Sequence, residues 1–164
     1  MEILTAIESS ALPTWIRESG SIWGYATVLT LHTLGLAILV GGNAAFALRM
    51  LGFGAGIALP AMVRLFRAMW IGFAINATTG VLLFAQDATT IVNEKLGLFS
   101  FKIGCITLGV ILMILIRRSV YGRGIEAASI GGGTRALAAL SLIVWIGAIT
   151  FGRFMAYPGL LFGL

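Results

Sequence analysis

Read for polarity alone, the chain alternates long apolar stretches nearly free of charge with short segments that gather almost all of its charge. The apolar stretches run roughly from Trp23 to Leu48, Ala68 to Ala85, Phe99 to Ile116 and Leu137 to Ala156. Each approaches or exceeds the roughly 20 residues a helix needs to cross a hydrocarbon core. The pattern predicts an all-α polytopic membrane protein, a four-transmembrane-helix bundle forming one integral membrane domain over residues 1–164. Before the first stretch, TAIESSALPTWIRESGSIW reads as one or two short interfacial helices, with Trp15 and Trp23 at headgroup level and Pro13 or Gly20 as breaks. The tail YPGLLFGL is apolar but too short to span, and is expected to lie along the surface or against a neighbour.

Composition strengthens this picture: 59% of residues are hydrophobic, 10% are charged and the mean hydropathy is +1.03. An average soluble domain carries roughly 25% charged residues. The net charge of +5 does not point to nucleic acid, because the basic residues are scattered between apolar spans with no basic stripe beside stacking aromatics. It is a topology signal instead. Arg49, Arg64, Arg67, Arg117, Arg118, Arg123 and Arg135 fall in the first and third connections, against Arg17, Lys95, Lys102 and Arg153 on the opposite side. This split predicts cytoplasmic connections and both termini outside. The acidic start MEILTAIESS lacks the basic flank of a secretory signal and is expected to be retained. Cys105 has no second cysteine to pair with, and the glycines of GFGAG and GGG lack the lysine and strand context of a phosphate loop.

The single histidine lies deep in the first span. Counted from Trp23, His32 sits about 13 Å below the outer interface at roughly 1.5 Å per residue. Tyr25, Gly35, Leu39 and Gly42 share its helical face, so the histidine side is also one where a second helix can approach closely. On the antiparallel second span, Gly72, Asn76, Thr79 and Leu83 share a face, with Asn76 near the depth of His32. Thr107 and Trp145 fall in about the same layer, with Cys105 nearby. An unpaired imidazole or amide in hydrocarbon costs several kcal/mol, so a polar layer of His32, Asn76, Thr107 and Trp145 is expected whether or not a ligand binds.

Two readings of His32 follow: a structural residue bonded to Asn76 or Thr107, or a ligand for a bound group. The redox form of the second is a b-type haem with His32 as an axial ligand. One histidine cannot supply a bis-histidine site, and no methionine matches its estimated depth, so a haem would be five-coordinate or shared between chains. No metal site is expected. Lys102 and Arg153, at the outer ends of the third and fourth spans, can snorkel to the interface or bind an anionic group such as a lipid phosphate or a propionate. Asp87 and Glu94 are candidate ion-pair partners for the same cluster. No carboxylate lies within any predicted span, so a carboxylate proton relay is not available.

The order of several short motifs carries a family resemblance. TWIRES, then LHTLGLAILVGG closed by LRMLG, then WIGF and TTGVLLF, then NEKLGLFSFK, together over residues 14–116, resemble a bacterial family of small four-helix membrane proteins of unknown function. That family is distantly similar in layout to membrane proteins of the copper-resistance D type and the four-helix protoporphyrinogen oxidase type. The resemblance implies His32, Arg49 and Lys102 as the residues to test first, with Arg49 joining Lys102 and Arg153 as an anion or lipid contact. It also implies a bacterial inner membrane. The favoured expectation is a non-enzymatic, accessory membrane subunit or small binding protein without a cofactor, whose partners are the bilayer and other membrane subunits or further copies of itself. Gly20 with Gly24, Trp15, and the tail with Gly159 and Gly163 are the segments expected to meet such neighbours.

Overall fold

A computed structural model of the chain describes residues 2–122 and 130–157. The described residues are helical throughout apart from short turns: α1 (Glu2–Glu8), α2 (Ala11–Glu18), α3 (Tyr25–Leu51), α4 (Leu59–Ala85), α5 (Ala88–Glu94), α6 (Leu96–Tyr121) and α7 (Gly132–Ala156). Among them α3, α4, α6 and α7 are long and apolar enough to cross a membrane, at 25 to 27 residues each. At roughly 1.5 Å per residue they reach about 40 Å, more than the roughly 30 Å of a hydrocarbon core, so their ends extend to headgroup depth.

The helices overrun the apolar stretches for local reasons. α4 starts at Leu59 rather than Ala68, because Pro60 falls in the first turn, where its missing N–H removes no helical bond. The added turns are amphipathic: Met62 and Phe66 are buried while Arg64 and Arg67 are exposed. The same physics corrects the reading of Pro13 as a break. It lies in the first turn of α2 and is buried there, while the break comes earlier, at Ser9 and Ser10. Gly20 does interrupt the chain, with a φ of 60° that an L side chain rarely adopts. The polar segment after α4 forms the short helix α5. The tail from Pro158, with Gly159 and Gly163, lies outside the described residues, as does Arg123.

The chain divides into two compact units. Unit 1 comprises Met1–Leu39 and Ala68–Leu96; unit 2 comprises Val40–Arg67 and Gly97–Leu164. In unit 1, α1 packs on α5 and against α2. The first part of α3 meets the second part of α4 at Gly35 and Gly72, where a Cβ built on either glycine would lie 2.8 Å from the other's carbonyl oxygen. This close backbone contact leaves no room for a side chain at that point on either helix.

Unit 2 is organised by an antiparallel seam between α6 and α7. Cys105 faces Gly147, Trp145 lies against Gly109, and the stem of Lys102 lies along Gly152. A Cβ on Gly109 would come within 2.7 Å of the Trp145 ring, so the glycine is what admits the indole. At the other end of the seam the Ser119 and Thr134 hydroxyls hydrogen-bond. Beside it, Phe46 of α3 and Phe66 of α4 pack edge to face at 4.7 Å between centroids, with the Tyr121 ring 5.9 Å from Phe66. The Tyr121 hydroxyl donates to the Leu59 carbonyl at 2.9 Å and fastens the end of α6 to the start of α4.

Candidate functional site

The densest polar constellation inside unit 1 surrounds His32. Its Nδ1 lies 3.0 Å from the backbone carbonyl oxygen of Asn76 and 3.1 Å from the Thr79 hydroxyl. A carbonyl oxygen only accepts, so Nδ1 carries the proton and Nε2 the lone pair in the neutral ring. The Thr79 hydroxyl donates to the Ile75 carbonyl at 2.6 Å, which turns an oxygen lone pair toward the imidazole. In the other direction, the Asn76 amide donates to the His32 carbonyl at 2.8 Å. Each helix therefore offers a side chain to the other's backbone. The clasp lies one turn from the Gly35–Gly72 contact, which brings the two backbones within reach. The ring edge rests on Gly80, where an added Cβ would be 3.2 Å from Cε1.

The sequence-derived residues divide unevenly around this clasp. His32 and Asn76 come together directly, and Thr79, expected on the same face as Asn76 but outside the site, is the third member. Thr107 is exposed on α6 and belongs to unit 2, as does Trp145. Trp145 is 1% exposed and its indole N–H has no hydrogen-bond partner among the described residues. A polar pair the sequence reading did not single out occupies the interior of unit 2: Asn43 donates to Ser141 at 3.2 Å, and Ser141 donates to the Ala138 carbonyl at 2.8 Å. An asparagine after two glycines in an apolar span was the available signal, since a buried amide needs a partner.

The charged residues are also redistributed. Arg49, expected to contact an anion, instead donates from Nε to the Ile57 carbonyl at 2.9 Å and from Nη2 to Ala55 at 3.0 Å. It closes the connection between α3 and α4, whose carbonyls have no helical donors. Asp87 was a candidate partner for the Lys102 and Arg153 cluster, but it pairs with Lys95 at 3.9 Å. Lys102 is half-buried along Gly152 and Arg153 is exposed on the next residue of α7. At the amino-terminal end of unit 1, Glu8 accepts from both the backbone N–H and the hydroxyl of Thr89. These bonds, with Arg17 nearby, hold its carboxyl below the usual carboxylate range. Arg17 in turn donates to the Gln86 carbonyl at 3.0 Å and to Glu18 at 2.9 Å.

Among the described residues no group of three or more histidine, cysteine or carboxylate side chains is placed to hold a metal ion. Comparison of the chain with protein-family models, with curated proteins and with solved structures returned no match.

Proposed function

We propose that this chain is a non-enzymatic integral membrane subunit or small binding protein, an accessory component that docks other membrane segments through the outer face of α6. The observation that carries this reading is a contrast among glycines. Gly35, Gly72, Gly109 and Gly147 each lie against another helix, whereas Gly97 and Gly104 on α6, like Gly41 on α3 and Gly132 and Gly133 on α7, have nothing within 4 Å of an added Cβ, and of these Gly104 borders a depression. Gly104 lines an apolar depression of about 340 Å³ with Ser100, Phe101, Cys105 and Leu108. Hydrophobicity alone does not associate helices in lipid, so an open small-residue face is where close packing with a neighbour gains most. His32 fits this reading as a helix-joining residue, because its Nδ1 proton and its carbonyl are both engaged by α4. The arginine distribution and the family resemblance support a bacterial inner membrane with both termini outside.

Extraction from the native host at native expression, in mild detergent, followed by native mass measurement tests the proposal. A higher-mass species is expected, and Gly104→Leu, which fills the depression, should deplete it while leaving helicity intact. A monomer with no co-purifying subunit would overturn an accessory role. The rival reading, a b-type haem on His32, rests on the same geometry: a backbone carbonyl on Nδ1 puts the lone pair on Nε2, the nitrogen that ligates iron, and the Asn76 amide 3.4 Å away would have to yield to the metal. An absorption spectrum separates the two, since a Soret band lost in His32→Ala would replace the docking subunit with a redox protein.

A further inference from the structure

Unit 2 holds a concentration of cations with no carboxylate counter-charge among its described residues. Its basic residues are Arg49, Arg64, Arg67, Lys102, Arg117, Arg118, Arg123, Arg135 and Arg153, and its one carboxylate, Glu126, lies outside the described residues. The ion pairs found among the described residues all lie in unit 1.

Most of these arginines collect at one end. Arg117 of α6 places its guanidinium 6.0 Å from the centroid of the Phe66 ring on α4, between Arg64 and Arg67 in sequence. The Tyr121–Leu59 bond fixes the same two helix ends together. The Ser119–Thr134 hydroxyl pair brings the start of α7, with Arg135, to the end of α6. Arg64, Arg67, Arg117 and Arg118 are all exposed. Arg49, at the same end, is spent on the carbonyls of its own connection.

The depth of this cluster identifies what meets it. On α6 the uncharged stretch from Ile103 to Ile116 covers about 21 Å at roughly 1.5 Å per residue, less than the roughly 30 Å of a hydrocarbon core. On α4 the uncharged stretch begins at the residue after Arg67. These guanidinium groups therefore sit at the boundary between acyl chains and headgroups, where long basic side chains reach outward to phosphate. A guanidinium stays charged at physiological pH and attracts anionic headgroups chiefly through that charge.

We propose that the arginine-rich end of unit 2, formed by Arg64 and Arg67 on α4 with Arg117 and Arg118 on α6, is a docking surface for the headgroups of anionic phospholipids. It is independent of the docking face on α6, since a monomer would bind lipid here equally well. Charge complementarity and depth both select a phospholipid.

The test is native mass spectrometry of the full-length protein in mild detergent, titrated with phosphatidylglycerol, with phosphatidylcholine of the same acyl chains, and with inorganic phosphate. Preferential retention of phosphatidylglycerol is expected, weakening as salt is raised. In Arg67→Gln combined with Arg117→Gln that affinity should fall roughly 25-fold, at about fivefold per charge, while phosphatidylcholine binding stays unchanged. Arg67→Lys with Arg117→Lys keeps both charges and should keep most of the preference, which separates lost charge from lost fold. Equal retention of the two lipids in the wild type would overturn the proposal, as would an equal loss in the lysine and glutamine variants. Displacement of phosphatidylglycerol by millimolar inorganic phosphate would reassign the surface to a free anion. A loss as large from Lys102→Gln with Arg153→Gln would move the site to the opposite end of α6 and α7.

Discussion

The two units solve the same problem, polar groups on an apolar chain, in opposite ways. Unit 1 holds five carboxylates, Glu2, Glu8, Glu18, Asp87 and Glu94, against two cations, Arg17 and Lys95, and pairs most of them internally. Its half-buried imidazole and buried Asn76 amide are likewise bonded to each other's helices. Unit 2 builds its interior from aromatic rings, glycines and an amide–hydroxyl pair, and exposes Arg64, Arg67, Arg117, Arg118, Arg135 and Arg153. Unit 1 thus bonds most of its polar groups within itself, with the buried side-chain oxygen of Gln86 an exception among the described residues. Unit 2 instead carries cations without an ion pair among the described residues and an open glycine face, the two features on which the proposed partners rest.

The contrast is broken most severely at the helix crossing of unit 1. Gly35→Leu would force a side chain into a space where even a Cβ lies 2.8 Å from the Gly72 carbonyl and the Asn76 nitrogen. Backbone cannot yield as a flexible side chain does, so a loss at or beyond the roughly 1–3 kcal/mol of ordinary overpacking is expected, read as a lowered unfolding midpoint in detergent. Gly104→Leu in unit 2 is the matched control and should leave that midpoint nearly unchanged. Equal midpoints for the two variants would show that the close crossing does not hold unit 1 together.

A smaller effect sharpens the account of the clasp. His32→Ala and Asn76→Ala should be non-additive, with a coupling of about 0.5 to 1.5 kcal/mol in a double-mutant cycle. Strict additivity would mean that the two residues stabilise the unit separately.

The smallest effect distinguishes the units by pH. Glu8 has its carboxyl lowered by Thr89 and then by Arg17, so the unfolded chain binds a proton more readily than the folded one. The contribution is complete above the ordinary carboxylate range and is lost as pH falls through the lowered folded value. Acidification from neutrality should therefore loosen α1 from α5, seen as faster exchange of the Thr89 amide beyond the intrinsic pH dependence. The α6–α7 seam, which has no carboxylate among its described residues, should not respond. Glu8→Gln should abolish the difference; its persistence would place the acid-sensitive group elsewhere.

The sequence by itself determined the class of fold and the position of the long helices, because membrane spans require long uninterrupted apolar runs that composition alone exposes. It also brought His32 and Asn76 to matching depths on faces that carry Gly35 and Gly72, since helical periodicity and rise are properties of the backbone. Tertiary structure decided which polar atoms meet. Thr79 joined the histidine while Thr107 faced outward, and Arg49 turned to the carbonyls of its own loop while Asp87 found Lys95. Those choices depend on the rotation of each helix and on side-chain reach over a few ångströms. An apolar stretch constrains rotation only weakly when almost every position around it is hydrophobic. The glycines at the crossing and along the α6–α7 seam resolve that ambiguity, because only their faces let two backbones, or a backbone and an indole ring, come close enough for the polar groups beside them to bond.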